Sequence, residues 1–262
     1  MLVPPLVNFR LRLIAMILVL AAGLAGAQEL PDPEEPLVIS RALVPAIGQI
    51  GGFKGVVWRS DVALHNDSPT EVTVVVHPLG VPELFQMMTL APGESTVFTN
   101  VAADSFGISS RVLPLLIQTV GRRSITVYAT AWGIVEGRPT PHQIIPVLYE
   151  ELLISTAQRL TSLQMNEAAR SNIGLINLNQ QPVTFSLALE RLEGRPLATL
   201  NLTVGPESSI HVPLNVLFPM VTEGSDLTLI VDSIAPRTWA YASVVKNDTH
   251  EAAFILPFIS VR

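Results

Sequence analysis

The chain has 262 residues, 48% of them hydrophobic and only 15% charged, with a net charge of −6 and no cysteine. That composition supports packed cores and excludes a disordered tail. It also excludes a disulfide scaffold, and with two isolated lysines, Lys54 and Lys246, it offers no basic cluster for nucleic acid or an anionic membrane surface.

In chain order, Arg10 and Arg12 precede an uncharged run, Leu13 to Ala27, whose Leu13–Leu20 stretch is followed by the small residues Ala25-Gly26-Ala27. This predicts a secretory signal peptide over 1–27, cleaved after Ala27; the apolar run falls short of the roughly 20 residues that span a bilayer. No cysteine follows it, which excludes a lipid anchor, and no membrane span is expected once it is removed. Cleavage takes both arginines and leaves 14 Lys/Arg against 22 Asp/Glu, a net charge of −8. The expected location is the periplasm, the cell surface or the medium. Residues 28–36, rich in Pro, Asp and Glu, read as a flexible lead.

From residue 37 the sequence repeats itself. At an offset of 111, Arg59-Ser-Asp-Val-Ala-Leu-His-Asn66 lies over Arg170-Ser-Asn-Ile-Gly-Leu-Ile-Asn177, and at 114 Leu90-Ala-Pro-Gly-Glu-Ser95 lies over Val204-Gly-Pro-Glu-Ser-Ser209. At 113, Leu116-Ile117 overlies Leu229-Ile230 and Val127-Tyr-Ala-Thr130 overlies Ala240-Tyr-Ala-Ser243; at 111, Ile145-Pro146 overlies Leu256-Pro257. Collinear blocks with drifts of one to three residues predict an internal duplication with surface-loop insertions.

Each copy reads as short strands. Val72–Val76, Leu115–Gln118, Ile125–Thr130, Val183–Leu189 and Leu227–Val231 are apolar or β-branched runs of strand length. Turn residues separate them, as in Asn66-Asp-Ser-Pro69, Ala91-Pro-Gly93, Asn177 to Pro182 and Gly205-Pro206. One short helical corner is expected in each copy, near Val101–Phe106 and Asn215–Phe218. The helices that parallel βαβ units require are absent. The reading is all-β: two tandem immunoglobulin-like antiparallel β-sandwich domains, over 37–149 and 150–262, joined near Tyr149 without a Gly/Ser tract.

No catalytic, cofactor or metal site is expected. There is no Gly-x-Ser-x-Gly elbow, and the five histidines (His65, His77, His142, His211, His250) are scattered, each read as a strand-face or loop residue. No His pair has the spacing of a zinc site, no loop has the acidic pattern of a calcium site, and Glu34-Glu35 and Glu150-Glu151 lie in connecting segments. The residues singled out are therefore structural. Arg59 and Arg170 open equivalent strands and are expected to pair with a carboxylate or carbonyl of their own half. Asn66 and Asn177 end strands, where the side chain bonds local backbone. Tyr128 and Tyr241 are expected as half-buried core residues, and Pro92, Pro206, Pro146 and Pro257 mark turns. Trp58, Trp132 and Trp239 have no counterparts in the other copy and are read as core or interface packing.

The segments Trp58–Asn66, Leu90–Ser95, Arg170–Asn177 and Tyr241-Ala-Ser-Val-Val-Lys-Asn247 resemble a family of secreted bacterial proteins with tandem immunoglobulin-like or fibronectin-like repeats, over most of Val44–Pro257. The resemblance implies the fold and little about activity. The expected function is a non-enzymatic structural, adhesion or protein-binding module with an unknown protein or glycan partner. Alternatives are a periplasmic chaperone of two immunoglobulin folds, against which the acidic charge and two like halves argue, and a carbohydrate-binding accessory module. An outer-membrane barrel fits poorly, since Val72–Val76 and Leu227–Val231 do not alternate apolar and polar residues.

Overall fold

The computed structural model describes residues 39–120, 125–149, 157–191, 194–233 and 235–259. The segments expected to be a signal peptide and a flexible lead, and residues 150–156 at the expected join, lie outside them. Ile39 to Tyr149 contribute β1 (Ile39–Gly51), β2 (Val57–Asn66), β3 (Val72–Pro78), β4 (Gln86–Leu90), β5 (Ser95–Phe98), the helix α1 (Val101–Phe106), β6 (Arg111–Val120), β7 (Ile125–Val135), β8 (Arg138–Pro139), β9 (Gln143–Ile145) and β10 (Leu148–Tyr149). Gln158 to Ile259 contribute β11 (Gln158–Met165), β12 (Ala169–Asn177), β13 (Val183–Glu190), β14 (Pro196–Val204), β15 (Ser208–Pro213), the helix α2 (Leu214–Leu217), β16 (Gly224–Asp232), β17 (Thr238–Lys246), β18 (Ala252–Ile255) and β19 (Phe258–Ile259).

These strands form two antiparallel sheets with the same order. The first runs β4-β3-β6-β1-β2-β7, with β5 on β2, β10 on β1, and β8 and β9 on β7. The second runs β14-β13-β16-β11-β12-β17-β18, with β15 on β12 and β19 on β11. β1 serves two layers: up to Gln49 it ladders with β6, and at Ile50–Gly51 it turns to β2 past a register shift between Val44 and Ile47. Each sheet thus folds over itself into an A layer (β4-β3-β6-β1-β10 and β14-β13-β16-β11-β19) and a B layer (β5-β2-β7-β9 and β15-β12-β17-β18).

Side chains alternate across a strand, so one face of each layer turns inward. Val44, Val62, Leu64, Val74, Val76, Leu115, Ile117, Val127 and Ala129 fill the first interior. Leu160, Ile173, Leu175, Phe185, Leu187, Leu229, Val231, Ala240 and Ala242 fill the second. The helix α1 buries Val101, Ala102 and Phe106 against the first core, and α2 buries Leu214 against the second.

Ladder register corrects two expected correspondences by one residue. Val44 pairs with Leu115 and Leu160 with Leu229, so Leu115, not Leu116, corresponds to Leu229, and Leu116 corresponds to Ile230. Ala129 pairs with Ile145 and Ala242 with Ile255, so Pro146 corresponds to Leu256 rather than to Pro257. A slip of one residue moves a side chain to the opposite face, so the correction decides which leucines are core and which face outward.

The outer faces differ between the sheets. In β2 and β7 buried and accessible residues alternate, as in a strand with one covered face. In β12 and β17 burial is nearly continuous, because both faces are covered. The outward residues Ile176, Trp239 and Tyr241, with Leu178, pack against Leu43, Ala46, Leu79, Leu116 and Leu148, the outer A-layer face of the first sheet. At the rim, the Arg170 guanidinium lies 5.3 Å from the centre of the Phe53 ring.

Candidate binding face

Among the described residues, nothing covers the corresponding outer B-layer face of the first sheet. Its residues follow from β2–β7 register, which sets Arg59 beside Trp132, Asp61 beside Thr130, Ala63 beside Tyr128 and His65 beside Thr126. The strand β5 adds Val97 next to Ala63 and Ser95 next to His65, and β9 adds Ile144 next to Thr130. Val97, Tyr128 and Ile144 are 62%, 51% and 62% exposed. Three large apolar side chains on one face are a liability in water unless something covers them.

Tyr128 and Tyr241 occupy the same ladder position, yet neither sits in a sandwich core as expected. Tyr241 is 2% exposed but lies outside the second core, in the cluster between the sheets. Its hydroxyl is hydrogen bonded to His211 Nδ1 at 2.9 Å, across Gly174 on the intervening strand. Tyr128, paired with Ala63, is exposed to solvent. The difference is tertiary: one B-layer face has a neighbour and the other has none among the described residues.

Above the apolar strip is a polar and aromatic ridge. The Arg59 guanidinium lies 5.5 Å from the centre of the Trp132 ring, which stacks on His142 at 5.4 Å. Trp132 Nε1 donates to Asp61 Oδ2 at 2.9 Å, and Asp61 Oδ1 accepts the Asn100 backbone N–H at 2.7 Å. Arg59 thus rests on an aromatic ring of its own half, where the sequence predicts a carboxylate or carbonyl. Arg170, whose pKa burial lowers, donates to Asn247 Oδ1 at 2.6 Å.

Below the strip lies a hydroxyl, imidazole and carboxylate row. Ser95 Oγ is 2.8 Å from His65 Nδ1, His65 Nε2 is 3.4 Å from Asp67 Oδ1, and Thr126 donates to the other Asp67 oxygen. The residues come from β2, the turn after it and β5, so no motif search along the sequence finds them; the signal is the cross-strand pairing of His65 with Ser95. Side chains of His65 and Asp67 are 41% and 52% exposed, which leaves the row in high-dielectric solvent. At the corresponding positions the second sheet carries Ile176, Leu178 and Trp239, the apolar centre of the contact between sheets.

The remaining residues of interest hold turns. Asn66 Nδ2 donates to the carbonyls of Thr70, Leu90 and Ala91, and its Oδ1 accepts from the Ser68 N–H. Asn177 does the same with Gln181, Val204, Gly205 and Asn179. Pro92 and Pro206 sit in the turns those carbonyls belong to, before Gly93 and Glu207, both at positive φ. Pro146 and Pro257 lie between the last two strands of their sheets. Trp58 is partly covered and approaches Gly52, and Trp239 is buried between the sheets. Among the described residues no three of His, Asp and Glu converge on a metal site, and no helix is long and apolar enough to cross a membrane.

No protein-family model and no curated protein matches the chain. Among solved structures it is similar to Thermotoga maritima 1070, at 10% identity and a TM-score of 0.35, over 40% of this chain and 95% of that one. It is also similar to a Bacteroides uniformis β-glucuronidase 2 bound to cyclophellitol-6-carboxylate aziridine, at 10% identity and a TM-score of 0.16, over 77% of this chain. The similarity spans 26% of that enzyme's chain.

Proposed function

We propose that this chain is an exported, non-enzymatic protein-binding module made of two immunoglobulin-like sandwiches that arose by duplication. Duplication is supported by the shared strand order and by the matching hydrogen bonds of Asn66 and Asn177. Export rests on the sequence of residues 1–27. One observation carries the binding role. The outer B-layer face of the second sheet is buried against a β-sandwich, and the same face of the first sheet presents Val97, Tyr128 and Ile144 to solvent. A protein partner suits this face better than a glycan, because two of its three exposed apolar side chains, Val97 and Ile144, are aliphatic, and sugar rings stack on aromatic planes, of which Tyr128 is the one left open here. Trp132 is already stacked on His142 and approached by Arg59, and Trp239 is buried.

A photo-crosslinking residue in place of Tyr128, introduced in the producing cell, tests this. Light-dependent adducts are expected from position 128 and not from exposed Thr184 on the second sheet. Absence of adducts from position 128 overturns the reading.

The Ser95–His65–Asp67 row favours a second reading, a serine hydrolase. An activity-based fluorophosphonate probe separates the two: labelling that disappears in Ser95→Ala supports hydrolysis, and an unlabelled native protein supports the binding module.

A further inference from the structure

We infer that the partner of the open face is a second copy of this chain, docked head to tail through the contact already made between its two sheets. The inference rests on the binding reading above and names its occupant. Within the chain, the A-layer face of the first sheet holds the B-layer face of the second. Among the described residues two outer faces are left over, the B layer of the first sheet and the A layer of the second, and they are the counterparts of the two that are joined.

Register identifies the free A-layer face. Leu43 pairs with Leu116 and Leu148, and in the same places Arg159 pairs with Ile230 and Phe258. Phe258 is 67% exposed and Ile230 is partly exposed. An apolar pair thus stands where Leu116 and Leu148 stand in the existing contact. Facing it, a docked copy would bring Tyr128 and Val97 to the positions held by Tyr241 and His211.

Charge fixes the pairing. Leu43 and Leu178 belong to one apolar cluster in the existing contact. On the free faces their counterparts are exposed Arg159 and exposed Asp67, a cation and an anion. One member of the buried apolar cluster on each side is thus replaced, and by opposite charges, as suits an interface that must be soluble before it forms. The two faces differ, so the contact is heterologous and repeats, giving a chain or closed ring of copies rather than a two-fold dimer.

Sedimentation equilibrium of the purified protein across a wide concentration range tests the pairing, with Asp67→Arg, Arg159→Asp and the double exchange. The native mass is expected to rise with concentration, each single exchange to weaken association by about tenfold, and the double exchange to restore it. Both positions are exposed, and unfolding curves of each variant confirm that folding is intact. A protein monomeric at every concentration, or a double exchange no better than the singles, overturns the self-pairing. If position 128 then crosslinks to a different protein, the binding reading stands without it; an adduct of twice the subunit mass supports both.

Discussion

Tyr241 lies flat across Gly174: a Cβ added at residue 174 would stand 1.9 Å from Tyr241 Cε1. The missing side chain lets the ring cross the strand and reach His211, and the ring in turn is one wall of the contact between the sheets. In the first sheet the same position is Ala63, and Tyr128 opposite it is exposed.

Gly174→Ala is therefore expected to push Tyr241 out of its site and open the contact between the sheets. Overpacking and the lost hydrogen bond together should cost about 2–4 kcal/mol. Ala63→Gly, at a site with no covering ring, should cost under about 1 kcal/mol, the ordinary penalty of a strand glycine. Urea unfolding of the two variants checks the contrast.

Stability should fall in acid through His211. Burial beside Tyr241 lowers its pKa from 6.5 to about 4, and burial raises that of Tyr241. Below pH 6.5 the unfolded chain takes a proton that the folded histidine refuses until about pH 4. The contribution is thus present above pH 6.5 and is lost as pH falls toward 4, by at most ~3 kcal/mol. His250, lowered first by its own burial, adds to the same slope. The difference between native protein and His211→Gln, measured by urea unfolding at pH 7.5 and 4.5, isolates His211; a slope unchanged by the substitution contradicts this assignment.

Asn66 and Asn177 are both fully buried and hold the same turn in each sheet. Replacing either by Ala leaves buried carbonyls without their donor and should cost about 2–4 kcal/mol. The two side chains make matching hydrogen bonds with no partner in common, so the losses should be similar and additive in the double variant.

Glu207, at φ 45°, occupies the turn position that Gly93 fills in the first sheet at φ 73°. A non-glycine residue pays a steric cost there, so Glu207→Gly should raise stability by ~0.5–1 kcal/mol, and Gly93→Ala should lower it by a similar amount. Thermal unfolding of both variants decides.

The strands and turns were legible because they are local: β-branched runs, Asn and Pro-Gly turns and two helical corners are written in neighbouring residues. The Arg59–Asn66 and Arg170–Asn177 alignment matches ladder register, since alternating polar residues fix the phase. Leu115, Leu116 and Ile117 gave no such phase, because an unbroken apolar run has no period of two, and only pairing with Val44 shows which of them points inward. The different fates of Tyr128 and Tyr241 were illegible for another reason. Local sequence around them is alike, and what separates them is a neighbouring face brought up from more than a hundred residues away. The Ser95–His65–Asp67 row was hidden likewise, being assembled by strand pairing.

Solvent labelling of tyrosines tests the open face most directly. Nitration of the purified protein, followed residue by residue across a range of protein concentrations, should modify Tyr128 readily in dilute solution, spare Tyr241 throughout, and lose Tyr128 reactivity as copies associate. Modification of Tyr241 in the folded protein, or Tyr128 labelling that is the same at every concentration and in the producing cell, would contradict the account.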